Sequence, residues 1–243
     1  MTKRIAMWSG PRNISTAMMR SFEARGDTFV SDEPMYGHFL EATQINHPMK
    51  DEVIQSMETD RERLRSYLTR HNPSDYSIWY QKQMTQHILD DDDLHWTLDL
   101  DNAFLIRDPR SVILSYLKKF DIENESLIGF LQLERIFDFV KSNSNKKIIV
   151  VDAEDILAKP SITLNLLCRA LDIKFTDNML TWEKGYRQTD GIWGAHWYDS
   201  VINTTEFIRT PKNKGEIPPK YKKVYDRSMD IYQKLSEYSI KIK

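Results

Sequence analysis

The fold is decided close to the N-terminus by the stretch WSGPRNIST at residues 8–16. A strand-like run at residues 3–8 leads into it, and Ile14, Met18 and Phe22 follow at helical spacing. A strand, a tight polar loop and a helix place unpaired backbone N–H groups and a positive helix end around an anion. Arg12 adds a bidentate cation to this loop. The stretch therefore predicts a site for a phosphate-like group, and the alternative is an ordinary strand–helix turn with a Ser/Thr cap.

The composition is that of an ordinary globular protein, and the length predicts one large domain over residues 1–243. Lys and Arg number 34 against 36 Asp and Glu, so the formal net charge is -2. Without a global positive field we expect neither a nucleic-acid partner nor a membrane surface, and any anion site must be local. Cys168 is the one cysteine, which excludes an intrachain disulfide. No signal peptide or membrane span is recognisable, so a cytoplasmic location is expected, and no pattern predicts an oligomeric state.

Glu33 follows a second strand-like run at residues 27–31, with Asp32 between them. Because Pro34 disfavours a helical backbone at the residue before it, Glu33 is expected to be extended and to lie just past the strand. Ligands of open α/β sheets bind at that edge. The alternative role for Glu33 is a carboxylate at a helix N-terminus. Residues 35–71 predict a mobile helical insertion, which we interpret as a lid or a cap over an acceptor.

A second strand–turn–helix unit spans residues 103–116, with the sequence AFLIRDPRSVILSY. Asp108 is a good N-cap and Pro109 a good first helical residue. Arg107 at the strand end and Ser115 on the helix are suited to grip a second anionic group. In the alternative interpretation, Arg107 and Arg110 pair with surface carboxylates.

Further strand-like runs at residues 76–82 and 146–151 alternate with helical patterns. One of these helical patterns covers residues 125–142, and another contains Cys168. This alternation predicts an α/β fold with a parallel sheet flanked by helices, followed by a C-terminal helical segment.

The tail of the chain is rich in aromatic residues. Trp182, Trp193 and Trp197 stand close together in the sequence, around the dipeptide Lys184-Gly185. This segment is either a loop that closes over a ligand or a small satellite core.

The two arginine-bearing turns resemble the motifs of the sulfotransferases that use 3′-phosphoadenosine 5′-phosphosulfate (PAPS). Residues 10–16 resemble their 5′-phosphosulfate loop, and residues 106–116 resemble their 3′-phosphate motif. Residues 150–157 resemble the strand and acidic turn that follow in that family. The whole is similar to bacterial-type and plant-type members more than to the animal cytosolic enzymes.

This resemblance implies a P-loop-type parallel sheet, PAPS as donor without a metal ion, and a small-molecule acceptor with a hydroxyl or amine. Arg12 and Glu33 would be the catalytic residues. The residues that would bind the donor are Gly10, Pro11, Arg12, Asn13, Ile14, Ser15, Thr16, Arg107, Ser115 and Lys184.

The chain departs from the family pattern at several positions. Many members have Gly where this chain has Ile14, and a non-glycine residue is tolerated there if φ stays negative. The histidine that animal enzymes carry in a Lys-Thr-His context is absent, since Met84 stands at its place. Glu33 matches the Glu-Pro-like context in which some bacterial relatives place a base, and His38 and His87 are the other candidates.

Two other functions remain open at this stage. A nucleotide kinase or hydrolase with a degenerate phosphate loop would require Mg²⁺-dependent nucleotide binding, but the Gly-Lys-Ser/Thr of a Walker loop is absent. A non-catalytic relative would bind the 3′,5′-bisphosphate without transferring a group.

Overall fold

A single parallel sheet forms the centre of the protein. The computed structural model describes residues 2–209 and 215–242. Within these ranges the strands are β1 Lys3–Ser9, β2 Thr28–Asp32, β3 Ile78–Met84, β4 Asp101–Ile106 and β5 Ile149–Asp152. They are all parallel, in the order β2-β3-β1-β4-β5. The predicted α/β class is confirmed, although β3 begins and ends later than the predicted residues 76–82.

Helices flank this sheet on both faces. They are α1 Ser15–Glu23, α2 Tyr36–Thr43, α3 Lys50–Ser56, α4 Arg61–Arg70, α5 Pro109–Tyr116, α6 Phe130–Asn143, α7 Ala153–Ala158, α8 Pro160–Ala170, α9 Gly194–Trp197 and α10 Lys222–Ser236. The helix predicted over residues 125–142 is interrupted at Gly129, whose φ of 73° separates the 3₁₀ turn Glu125–Ile128 from α6.

β1 lies at the centre because it pairs with β3 on one side and with β4 on the other. The chain winds from β1 through β2 to β3, then crosses β1 to continue with β4 and β5. The winding therefore reverses between β1 and β4. In open parallel sheets, ligands bind outside the carboxyl ends of the strands at such a reversal. Here that point lies beside Ser9 and Ile106.

Side chains of β1 alternate between two apolar layers. Ile5 and Met7 pack with residues of α1 and α8 on one face of the sheet. Ala6 and Trp8 pack with residues of α4, α6 and α10 on the other face. Because both faces of β1 are buried, the loop that follows Ser9 starts from a fixed position.

The segment 35–71 is largely helical, as expected, and contains α2, α3 and α4. Leu64 and Leu68 of α4 pack in the same core layer as Trp79 of β3. Residues of α2 instead form a third apolar cluster with Trp193 and Tyr198 of the tail. A lid or cap role for this segment stays a prediction.

Candidate active site

The loop between β1 and α1 lines a cavity of about 410 Å³. Six of the predicted donor-binding residues contact this cavity: Pro11, Arg12, Asn13, Ile14, Ser15 and Thr16. Gly10 lies behind them, against the start of α6. A Cβ atom at Gly10 would stand 2.6 Å from the carbonyl oxygen of Ile128, so the close approach requires glycine.

Two loop residues have a left-handed backbone. Arg12 has a φ of 60° and Ile14 a φ of 46°. The expectation that φ stays negative at Ile14 is therefore wrong. A β-branched residue at positive φ is a conformational outlier, and such strain concentrates at functional sites. Ile14 occupies a glycine-like conformation and packs its side chain against the apolar layer next to α1.

The two arginine-bearing turns meet at the same cavity. Arg12 Nε donates to Ser115 Oγ at 3.0 Å. Arg107 Nη1 donates to the main-chain carbonyl oxygen of Arg12 at 2.8 Å. Arg107 and Ser115 also line the cavity. Two motifs that are far apart in the sequence therefore bring Arg12, Arg107 and Ser115 to one cavity.

The start of α5 fixes this second turn as the sequence predicted. Asp108 is the N-cap, and its side chain accepts a hydrogen bond from the backbone N–H of Ser111 at 3.1 Å. Pro109 is the first helical residue. Because the cap sets the direction of the helix, it also sets the position of Ser115 relative to Arg107.

Two guanidinium groups, those of Arg12 and Arg107, bring positive charge to the cavity. Burial lowers the pKa of Arg12, and the nearby charge of Arg107 lowers it further. Arg107 Nε lies 3.5 Å from Glu154 Oε1. This Nε is buried and has no hydrogen-bond partner among the described residues. A buried guanidinium N–H that makes no hydrogen bond is a donor suited to an anion.

Glu33 lines the opposite part of the cavity, at the carboxyl end of β2. Its φ of 45° is left-handed, so the expected extended backbone is wrong at this residue. Its Oε1 accepts a hydrogen bond from Lys82 Nζ at 2.7 Å. Burial raises the pKa of Glu33, Lys82 opposes this rise, and Asp32 adds to it. Glu33 is therefore a more basic carboxylate than one in water.

Of the two histidine candidates, His87 is at the cavity and His38 is not among its lining residues. His87 stacks on Tyr36 with ring centroids 4.6 Å apart. Its Nε2 lies 3.8 Å from Glu33 Oε2, beyond hydrogen-bond distance. Burial lowers the pKa of His87 well below its usual range, so the ring is neutral at pH 7. The ring of His38 instead bonds the carbonyl oxygen of Thr59 through Nδ1 at 2.9 Å.

Lys184 is exposed and is not among the residues that line the cavity, so the structure does not bring this predicted donor ligand to the others. The backbone N–H of Gly185 donates to the carbonyl oxygen of Ile202 at 2.8 Å. The tail reaches the cavity instead through Trp197 and Tyr198. Trp193 belongs to a satellite core with residues of α2, as one interpretation of the tail expected, and the role of a loop that closes over a ligand stays a prediction.

Lys82 and Tyr198 are the site residues that sequence reasoning missed. Lys82 is a charged residue within a strand whose other residues are all buried, and its side chain is 1% exposed. A lysine in such a strand is a signal, because a buried ammonium requires partners. Tyr198 gave no comparable signal, since it is one of many aromatic residues in the tail.

No helix in residues 2–209 and 215–242 is long and apolar enough to cross a membrane. In the same described residues, no group of three or more His, Cys, Asp or Glu side chains is arranged to hold a metal ion.

Comparison with known proteins places these features in one family. The family described as "Sulfotransferase domain" matches residues 3–235. Two proteins of Arabidopsis thaliana, branched-chain-amino-acid aminotransferase-like proteins 1 and 2, are 31% and 29% identical over 96% and 94% of this chain. The chain spans 42% and 40% of the length of these curated relatives.

Solved structures share the fold. The sulfotransferase domain from the curacin biosynthetic pathway has a TM-score of 0.55 at 15% identity and covers 97% of this chain and 98% of its own. The sulfotransferase from Alicyclobacillus acidocaldarius has a TM-score of 0.56 at 9% identity, with 99% and 98% covered. Since the family match extends over nearly the whole length, this chain belongs to the sulfotransferase domain family.

Proposed function

We propose that this protein transfers a sulfuryl group from PAPS to a hydroxyl or amine of a small-molecule acceptor. The observation that carries the proposal is the meeting of two arginine-bearing turns at one cavity. Arg12 bonds Ser115 at 3.0 Å, and Arg107 bonds the backbone of Arg12 at 2.8 Å. A donor with a 5′-phosphosulfate and a 3′-phosphate presents two anions, which two such turns can bind together.

The loop after β1 would hold the 5′-phosphosulfate. The N-terminus of α1 supplies backbone N–H groups and the positive end of the helix dipole. Ser15 and Thr16 offer hydroxyl groups at the same cavity. Arg12 would stabilise the negative charge that develops on the bridging oxygen as the 3′,5′-bisphosphate leaves.

The turn after β4 would select the 3′-phosphate. Arg107 offers its Nε, which makes no hydrogen bond among the described residues, and Ser115 offers a hydroxyl that already accepts a hydrogen bond from Arg12. The same hydroxyl therefore connects the two turns directly.

Glu33 would accept the proton of the attacking group. The acceptor oxygen or nitrogen forms a bond to sulfur, the bond from sulfur to the bridging phosphate oxygen breaks, and the acceptor proton passes to Glu33. A carboxylate whose pKa is raised by burial is better matched to this task at neutral pH. Aromatic residues such as Tyr36 and Trp197 would contact the body of the acceptor.

Isothermal titration with 3′-phosphoadenosine 5′-phosphate tests the donor assignment without knowledge of the acceptor. We expect saturable binding that does not require Mg²⁺, and weaker binding of ATP with Mg²⁺. Absence of binding at millimolar bisphosphate would overturn the proposal. Mg²⁺-dependent binding of ATP in its place would favour a kinase or hydrolase. Bisphosphate binding without transfer to any acceptor, unaffected by Glu33→Gln, would indicate a non-catalytic relative.

A further inference from the structure

Four buried polar side chains form a cluster beside the cavity, at the carboxyl ends of β2 and β3. The members of this carboxylate cluster are Asp32, Glu33, Lys82 and Tyr198, each at most 9% exposed. Lys82 Nζ lies 2.8 Å from Asp32 Oδ1, 2.7 Å from Glu33 Oε1 and 2.6 Å from the Tyr198 hydroxyl. An ammonium has three N–H donors, so these three oxygens use all of them.

The hydroxyl of Tyr198 serves Asp32 and not Glu33. It accepts hydrogen bonds from Lys82 Nζ and from Trp193 Nε1, the latter at 3.2 Å. Its single proton therefore goes to the nearer carboxylate oxygen, Asp32 Oδ2 at 2.6 Å, and not to Glu33 Oε1 at 3.4 Å.

Asp32 thus receives more donors than Glu33 does. The backbone N–H of Gly191 donates to Asp32 Oδ2 at 3.0 Å, in addition to Lys82 and Tyr198. Two carboxylates share one ammonium, so one negative charge is left without a counter-charge inside the cluster. Since Asp32 has three donors and Glu33 has one close donor, the excess charge falls on Glu33.

The second carboxylate oxygen of Glu33, Oε2, is the one available to accept a proton. Oε1 is held by Lys82, whereas no hydrogen bond to Oε2 is found in residues 2–209 and 215–242. The nearest charged or titratable group recorded for Oε2 is His87 Nε2 at 3.8 Å. Glu33 and Lys82 line the cavity, whereas Asp32 is not among its lining residues.

We propose that Lys82 and Asp32 are positioning residues for Glu33. Lys82 anchors Oε1 so that Oε2 faces the acceptor. Asp32 competes for the ammonium of Lys82, so that much of its positive charge does not act on Glu33. This inference rests on the proposed function, because it takes Glu33 as the proton acceptor. It explains why a carboxylate bonded to a buried lysine still acts as a base.

Five titratable groups from different parts of the fold lie close to Glu33. Asp32 comes from β2, Lys82 from β3, Tyr198 from the segment after α9, His87 from the 3₁₀ turn Thr85–His87, and Tyr36 from α2. His87 is neutral at pH 7 because burial lowers its pKa, so Lys82 and Asp32 are the two charges that act on Glu33.

Titration of Glu33 by NMR measures this arrangement directly. The probe is the full-length protein with ¹³C-carboxyl-labelled glutamate, and the resonance lost in Glu33→Gln identifies the residue. Asp32→Asn keeps the side-chain shape and should lower the pKa of Glu33, since a like charge is removed. Lys82→Met should raise it. Asp75→Asn, at an exposed aspartate shortly before β3, is the matched control and should leave it unchanged.

The opposite signs of the two shifts keep the test decisive. A Glu33 pKa that moves by less than a few tenths of a unit in both variants would overturn the inference, and a purely structural role would lower protein yield without these shifts. If one variant fails to fold, the sign measured in the other decides. Isothermal titration of the wild type with 3′-phosphoadenosine 5′-phosphate distinguishes failure of the proposed function from failure of this inference. Absence of binding would contradict the proposed function, whereas the pKa of Glu33 in the variants tests the positioning roles separately.

Discussion

Arg107 donates a hydrogen bond from Nη1 to the main-chain carbonyl oxygen of Arg12 at 2.8 Å, across 95 residues of sequence. One anion-binding side chain is thereby bonded to the backbone that positions the other. Arg12 in turn bonds Ser115, eight residues beyond Arg107 on the same strand–turn–helix unit. Each turn therefore helps to position the other, and a substitution in one turn should change the geometry of both.

Replacing Arg107 by alanine should weaken binding of 3′-phosphoadenosine 5′-phosphate by about 2–5 kcal/mol, the usual cost of truncating one partner of a buried charged contact. The measurement is isothermal titration of the variant beside the wild type. Arg110→Ala is the matched control, because Arg110 follows on the same turn but is not a lining residue. Equal losses in the two variants would contradict the assignment of Arg107.

Replacing Ser115 by alanine should reduce bisphosphate affinity by about 1.5–3 kcal/mol, since the hydroxyl bonds a charged group. The effect should not be additive with Arg12→Ala, because the two side chains contact each other directly. A double-mutant cycle by titration measures this coupling. Ser111→Ala, on the same helix and away from the cavity, should bind the bisphosphate normally, and strictly additive losses would show that the two turns act separately.

Replacing Glu33 by glutamine should abolish transfer and raise the free energy of unfolding at pH 7. Burial raises the folded-state pKa of Glu33 above the ordinary value of 4.5. The native state therefore binds more protons than the unfolded state between these two values, and stability falls as the pH rises through that window. Glutamine resembles the protonated carboxyl group and avoids this loss.

Urea unfolding of Glu33→Gln and wild type at several pH values checks that sign. The difference in free energy of unfolding between the variant and the wild type should be largest at neutral pH and should decrease as the pH approaches 4. Glu183→Gln serves as the control, because that side chain is 90% exposed. A glutamine variant less stable than the wild type at pH 7 would mean that the bond to Lys82 outweighs the burial of the charge.

Replacing Gly10 by alanine should destabilise the protein by about 1–3 kcal/mol, the range found for overpacked sites. The added Cβ would stand 2.6 Å from the backbone oxygen of Ile128, which cannot move away as a flexible side chain can. Gly26→Ala provides the comparison, because no atom lies within 4 Å of a Cβ there and only its φ of 82° is strained. We expect bisphosphate affinity to fall in the Gly10 variant and to stay normal in the Gly26 variant.

The sequence predicted those parts of the site that depend on local pattern. Asp108 and Pro109 locate the start of a helix, and apolar strand-like runs that alternate with helical patterns indicate a parallel sheet. Because the carboxyl ends of parallel strands share one edge, Arg12 and Arg107 could be expected to meet. Glu33 was placed beside them by the same reasoning, and it does line the cavity.

The remaining features depend on contacts between distant parts of the chain. Ile14 and Glu33 have a left-handed backbone that their residue types disfavour, so tertiary packing must impose it. Lys184 lies in a Lys-Gly dipeptide, but such a short motif does not specify where its loop packs. Tyr198 reaches Lys82 across 116 residues, and no local pattern encodes that contact.

That separation has a consequence for the order in which the enzyme is made. Domains fold as the ribosome releases them from the N-terminus onward. Arg12, Arg107 and Ser115 all precede Tyr198 in the chain, as do Asp32, Glu33 and Lys82. A chain that has been synthesised only as far as Trp197 contains both arginine-bearing turns, but Lys82 lacks its third acceptor and Asp32 lacks its phenolic donor. Because a domain generally folds as a unit, the carboxylate cluster is complete only after the tail of the chain has been synthesised.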